Sequence, residues 1–255
     1  MRNIKMTVEY EGTNYLGWQR QPQGMTIQEA IETAIERLTG EKTNVVGAGR
    51  TDTGVHARGQ TANFRTDSAL AVERFQGALN ALLPRDMAVR EAMEVPESFN
   101  SRFSALSKHY RYMIWNDRVR PALDRNFCWH VRWPLDPERA RAGAGALLGT
   151  HDFSCFESAN AESRTTVRTV TRAEWRADDD RRVTFDIEAD AFLYNMVRAI
   201  VGTLTDVARG KISPERVAEI MASKDRGQAG RTAPPQGLCL MEVRYPEEFV
   251  WRPPE

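Results

Sequence analysis

Between residues 45 and 57 the chain reads Val-Val-Gly-Ala-Gly-Arg-Thr-Asp-Thr-Gly-Val-His-Ala. The side chains there that can do chemistry are Asp52, Arg50 and His56, with Arg58 just beyond. A short apolar run breaks into a loop carrying three glycines, Gly47, Gly49 and Gly54. Such glycines admit positive φ and close approach of a substrate to the backbone. A lone carboxylate between them, two residues from an arginine, is a candidate nucleophile or general base.

Short patterns give the stretch competing readings. Gly47-x-Gly49 after a strand suggests a dinucleotide fingerprint, but Asp52 stands where a small residue is required. The segment 60–64 also reads as extended, where that fingerprint needs a helix. Asp52-Thr53-Gly54 spells the aspartic protease triplet, yet a protease needs two carboxylates sharing a proton and no second triplet occurs. Taken alone, an Asp-x-Gly sequence is most simply a turn in which the Asp caps its own backbone.

The elements around this loop follow from periodicity. Alternation over 4–10 predicts a strand, and Thr26 with Glu29 forms a capping box before a helix that Gly40 stops. Strands are predicted at 43–46, 60–66 and 87–93, with a helix of apolar spacing at 72–82 closed by Pro84. That order, β-α-β-β-α-β, is the ferredoxin-like unit. After a connector at 96–105 the order restarts: strand 107–115, an added strand 127–133, helix 136–148, a hairpin of 167–176 and 182–189, the very apolar helix 192–209, an added helix 214–222 and a last strand 238–245. The expected architecture is therefore mixed α+β. Two ferredoxin-like (RRM-like) halves, residues 1–105 and 106–255, are expected to share an antiparallel sheet with a central cleft, the first half carrying the Asp52 loop.

Composition sets limits. The chain has 255 residues and no net charge, and is 41% hydrophobic. It has no apolar run of membrane-spanning length and a start that reads directly into a strand, so a cytoplasmic protein without a membrane partner is expected. Locally the charge is uneven: Arg102, Lys108, Arg111, Arg118, Arg120, Arg125 and Arg132 face only Asp117 and Asp124 over 102–132. A basic surface on a neutral protein still focuses an anionic partner. Only five of the 35 basic residues are lysines. Arginine suits phosphate contacts and base stacking, though a codon bias toward arginine explains the count equally well. The loop 11–21 mixes Tyr15, Trp18, amides and Arg20, types that stack on and bond to unpaired bases; a buried, well-packed Trp18 is the plainer reading. Cys128, Cys155 and Cys239 are odd in number and spread out, as reduced thiols are. Cys128, His130, His151 and Cys155 do not have zinc spacing, and no metal is expected.

The whole of Gly47-Ala-Gly-Arg-Thr-Asp-Thr-Gly-Val-His-Ala57 resembles the active-site motif of the tRNA pseudouridine synthase A family. Further stretches are similar to that family: 15–21 with its Gly-Trp-Gln-Arg-Gln, Arg102-Phe-Ser-Ala, Lys108-His-Tyr-Arg-Tyr112, Asp152-Phe-Ser, 191–202, and Ala233-Pro-Pro-Gln-Gly-Leu238. The departures, Cys155 and the acidic hairpin at Asp178–Asp180, lie beside the motifs. The resemblance implies an isomerase that turns uridine into pseudouridine at positions 38, 39 and 40 of the tRNA anticodon stem-loop by base flipping. It implies Asp52 as the catalytic residue, Arg198 as its ion-pair partner, and Arg50 holding the target base out of the helix. Tyr110, first of the Tyr-x-Tyr pair, would stack on the base and Leu238 would form the apolar side of its pocket. A homodimer with tRNA as partner follows from the same resemblance. The reaction consumes nothing, so no cofactor is expected. A noncatalytic RNA-binding module and an aspartic hydrolase are the alternatives.

Overall fold

The computed structural model describes residues 1–159 and 164–250. The chain is mixed α+β, and its strand pairs are antiparallel with one exception among those described below. It divides into two compact units: Met1–Ser107 together with Leu240–Glu255, and Lys108–Cys239.

The first unit begins with β1 (Arg2–Tyr10), α1 (Ile27–Thr39), β2 (Val46–Gly47), β3 (His56–Thr66), α2 (Val72–Leu82) and β4 (Met87–Val95). β1 lies between β4 and β3, and β2 pairs with β3. α1 starts where the capping box places it. The Thr26 side chain accepts from the Glu29 amide, and Gly40 closes the helix in the left-handed region. Its buried stripe, Ile27, Ile31, Ala34 and Ile35, joins Ile4, Met6, Phe64 and Phe75 in the core. The strand expected at 43–46 is shorter, Val46–Gly47, while β3 begins earlier than expected, at His56. The catalytic-loop candidate thus hangs between β2 and β3.

The second unit contains β5 (Ser107–Asn116), β6 (Trp129–Val131), α3 (Pro137–Gly145), β7 (Gly149–Asp152), β8 (Val167–Ala177), β9 (Arg182–Ala189), α4 (Met196–Ala208) and α5 (Arg216–Ser223). The order is β5-β9-β8-β7, with β6 parallel to β5. Tyr110, Tyr112 and Ile114 of β5 pair with Ile187, Phe185 and Val183 of β9, so one face is a row of buried apolar groups. The other face carries His109, Arg111, Asp186 and Glu188. Asp186 is fully buried and accepts from His109 (2.6 Å), Arg111 (2.9 Å) and Arg176 (2.7 Å). The last strand, β10 (Leu238–Arg244), starts in this unit and from Leu240 onward belongs to the first, where it runs beside β3.

Candidate active site

In the first unit, the loop from Ala48 to Val55 is held through its backbone. The Ala48 amide donates to the Thr61 carbonyl (2.8 Å), and Gln60 Nε2 donates to the Gly49 carbonyl (2.8 Å). Thr51 is fixed twice: its carbonyl accepts from the Trp18 amide (2.9 Å) and its hydroxyl meets the Tyr10 hydroxyl (2.8 Å). The Val55 amide closes a turn onto the Asp52 carbonyl (3.0 Å). Asp52 is half-buried, at the head of that turn, and Arg50 is exposed.

The segment 12–18 braces this loop from outside. Gly17 has φ 81°, and a Cβ there would stand 2.5 Å from the Thr51 carbonyl oxygen. Only glycine tolerates both the angle and the approach. The Gly12 amide donates to His56 Nδ1 (3.0 Å), so that ring nitrogen acts as the acceptor. Trp18 is buried with its ring against Gly47, and the Tyr15 hydroxyl donates to Asp86 (2.6 Å). Burial pushes the Tyr15 hydroxyl up, and the Asp86 carboxylate adds to the shift. The base-stacking reading of Tyr15 and Trp18 is therefore corrected: both are spent on shaping the loop, the plainer of the two readings.

In the second unit, Arg198 lies in the first turn of α4. Its Nε donates to the Ala233 carbonyl (2.8 Å) and its Nη1 to Asn195 Oδ1 (2.7 Å). Asn195 sits just before the helix in the left-handed region, with φ 62°. Residues 230–237 run as a strap against α4. The Gly230 amide donates to Thr203 Oγ1 (2.8 Å), and a Cβ on Gly202 would overlap the Arg231 carbonyl oxygen. The Tyr112 hydroxyl donates to the Pro234 carbonyl (2.7 Å), and Gly237 lies against the Tyr112 ring. The strap delivers Leu238, which is buried, to the start of β10. Tyr110 is buried and packs edge-to-face on Phe192, at 5.1 Å between ring centres. The five residues expected at the site thus fall as Asp52 and Arg50 on one braced loop, and Tyr110, Arg198 and Leu238 around β5, α4 and the strap.

Sequence reasoning missed the supports Tyr10 and Gln60, which sit on strands and read there only as strand residues, whereas His56 was singled out in the loop and lies at the first residue of β3. It also missed Asp186, which β9 places on the same face as His109 and Arg111. The cysteine and histidine residues weighed for zinc have other work. Cys128 Sγ donates to the Asp124 carbonyl, and His130 and His151 contact the Asp117 and Leu148 carbonyls. Burial pushes the Cys128 thiol up to about 11 and that of Cys155 to about 12.

These features define a mixed α+β protein with an ordered carboxylate loop backed by buried hydrogen bonds. The chain belongs to the tRNA pseudouridine synthase family, whose model matches residues 6–104 and 144–246. Asp52, Arg50, Arg198 and Leu238 lie inside the matched segments, and Tyr110 lies between them. The chain is 49% identical over 245 residues to the tRNA pseudouridine synthase A of Acetivibrio thermocellus, covering 96% of this chain and 100% of that one. It is also 49% identical to the enzyme of the same name from Geotalea uraniireducens over 245 residues, and 47% identical to that of Thermoanaerobacter pseudethanolicus, each with 96% and 100% coverage. Among solved structures, an archaeal box H/ACA sRNP Nop10-Cbf5 complex aligns over 79% of this chain and 44% of that chain, at 14% identity and a TM-score of 0.36.

Proposed function

We propose that this protein isomerises uridine to pseudouridine at positions 38, 39 and 40 of the tRNA anticodon stem-loop, with Asp52 as the catalytic carboxylate. Membership of the family supports the coarser statement, uridine isomerisation in tRNA. The observation that supports Asp52 as the catalyst is its loop, a half-buried carboxylate on backbone pinned from Tyr10, Trp18 and Gln60, while positions 38–40 rest on the resemblance of 47–57 to the family's motif. A pre-set carboxylate is what the chemistry uses. The N1–C1′ bond breaks, the base turns, a C5–C1′ bond forms, and C5 gives up a proton while N1 gains one. Two routes fit a carboxylate, attack on the oxocarbenium-like C1′ and abstraction of a ribose proton.

In this reading the target uridine is extruded from the stem-loop. Extrusion is required because C1′ and C5 are out of reach in a stacked duplex. The first half brings Asp52, with Arg50 holding the base out. The second brings Arg198 as the counter-ion of Asp52, Tyr110 to stack on the uracil and Leu238 as the apolar wall. Arg198 suits that role because its position is set by Ala233 and Asn195. Its other neighbours on α4 are almost all buried and apolar. The proposal includes a homodimer working in the cytoplasm.

The test is to incubate the protein with uridine-containing tRNA transcript, without added cofactor, and map pseudouridine along the chain. Product at 38–40 supports the reading. Product elsewhere in the tRNA sinks the anticodon assignment, and RNA binding without product would point to a noncatalytic module.

A further inference from the structure

Between β5 and β6 the chain forms a loop, 117–128, that lies outside both segments matched by the family model. It is a built loop. The Trp115 indole donates to the Val119 carbonyl (3.0 Å), the Val119 amide to Asp117 Oδ1 (2.9 Å), and the Phe127 amide to the Asp124 carbonyl (2.9 Å). Its two carboxylates are both engaged by the hairpin arginines next to it: Asp117 by Arg181 (2.9 Å) and Asp124 by Arg182 (3.2 Å). Its own arginines are left over. Arg118 and Arg120 are exposed and have no partner among the described residues, and Arg125 donates only to the Ala122 carbonyl. Val119 and Leu123 between them are 71% and 89% exposed.

A second cationic group adjoins the root of this loop. The Asn116 amide donates to the Val131 and Trp133 carbonyls (2.8 and 2.7 Å), tying the end of β5 to the segment after β6. There Trp133 is 43% exposed, with the Arg132 guanidinium 4.6 Å and the Arg209 guanidinium 4.1 Å from its ring centre. An aromatic ring with guanidiniums on it holds their charge in place at a solvent surface.

We propose that this end of the second unit, Arg118, Arg120 and Arg125 with the Arg132–Trp133–Arg209 stack, is a contact surface for the sugar-phosphate backbone of RNA, separate from the Asp52 loop. The proposal rests on tRNA being the substrate. An RNA backbone fits better than a protein partner. Arg118 and Arg120 have no carboxylate partner among the described residues, and guanidiniums grouped beside an exposed aromatic ring match phosphates and unstacked bases.

The test compares two variants with equal loss of charge. One is R118Q/R120Q/R125Q. The control is R37Q/R74Q/R85Q, three exposed arginines on the first unit with no described partner. Binding of full-length tRNA is measured from about 50 to 200 mM salt, beside steady-state turnover. Each lost phosphate contact lowers the log–log salt slope by about 0.7–0.9, so the loop variant should show a slope smaller by roughly 2, and tRNA affinity weaker by about tenfold or more at the low-salt end. Its KM should rise with kcat kept, and W133A should weaken binding in the same direction. Loop and control variants with equal slopes and equal KM would overturn the proposal while leaving the Asp52 reading intact. A loop variant that binds tRNA like the control but changes its mass by light scattering would assign the surface to a protein interface and overturn it too. A wild-type protein without salt-dependent tRNA binding would instead remove the substrate reading on which the proposal stands.

Discussion

Asp52 heads a turn whose backbone is fixed by contacts of Thr51, Gly49 and Val55. Asp52→Asn should therefore keep the loop, the fold and most tRNA affinity, since binding is spread over many phosphate contacts. Turnover should fall by several orders of magnitude, because an amide neither attacks nor takes a proton. Pseudouridine formation near the wild-type rate, in a variant shown to be folded by its melting curve, rules Asp52 out as the catalyst. Asp186 is a carboxylate of the opposite kind, structural and wholly enclosed. Burial pushes its carboxyl up, but hydrogen bonds from His109 and Arg111 and their charges outweigh this and leave it at about 2. Arg176 bonds it from β8, where Arg172 and Glu174 are close by, and Glu188 follows on its own strand. A carboxyl depressed on folding contributes fully above the unfolded value near 4, and the contribution, about 2 kcal/mol, is lost as pH falls toward 2. The melting temperature should drop through that window, and Asp186→Asn should remove this part of the drop while lowering stability at pH 7, since it takes from His109, Arg111 and Arg176 the carboxylate they share. A variant that melts like the wild type at both pH values would show the cluster to be idle. Of these residues, Asp52 was legible because it sits in an unusual string. Asp186 was not, because its partners are brought together only by strand register, β5 against β9 against β8.

At the scale of elements, what the sequence revealed tracks how local the determining signal is. α1 was legible to the residue at its start because Thr26 and Glu29 are three apart and the Glu29 amide donates to the Thr26 hydroxyl. The long apolar run at 192–209 read as one helix, yet α4 starts only at Met196, because Asn195 takes a left-handed conformation that breaks the run. Apolar composition shows burial, and it does not show that break. β7 was missed for a similar reason: Gly149–Asp152 is a short, polar strand at the sheet edge with no alternation to read. The added strand at 127–133 shrinks to Trp129–Val131, with Cys128 turned to the loop behind it. The strap on α4 was visible only as a motif, and its energetics appear in three dimensions. Gly202→Ala would drive a methyl into the Arg231 carbonyl, so the strap must move off the helix. That loosens Arg198 Nε from Ala233 and Tyr112 from Pro234 together. Overpacking of this kind costs about 1–3 kcal/mol. If the strap sets Leu238 and Arg198, turnover should fall further than the melting temperature alone explains. A G202A protein with unchanged turnover and stability would show that the strap yields freely.

At the scale of the whole molecule, the first unit is discontinuous: the chain leaves it at Ser107 and returns at Leu240. The returning segment completes its interior. Tyr245 is buried, its hydroxyl donates to the Ser101 carbonyl (2.6 Å), and its ring lies 5.3 Å from that of Phe99. Phe249 also packs on Phe99, at 4.9 Å between ring centres, and its carbonyl accepts from Lys5 Nζ. Lys5 itself is buried on β1 with its ammonium 5.0 Å from the Tyr245 ring. Burial lowers its pKa, with Glu91 opposing. The first strand and the last segment of the chain therefore share one aromatic cluster over a buried cation, and neither is complete alone. Truncating Tyr245 should show this. Tyr245→Phe removes one hydroxyl and leaves the Ser101 carbonyl short of a donor, at a cost of about 1 kcal/mol. Tyr245→Ala removes the ring as well and opens the cluster onto Lys5, so a loss of about 3–5 kcal/mol is expected, of the size seen when a large buried aromatic is deleted. Urea unfolding of the two variants beside the wild type measures both steps. A small step followed by a large one means that the ring, by covering Lys5 and Phe99, joins the chain's two ends. Two equal small steps would mean that 245–250 rests on the first unit without holding it together, and the discontinuous unit would then owe its stability to residues before Ser107 and to β10.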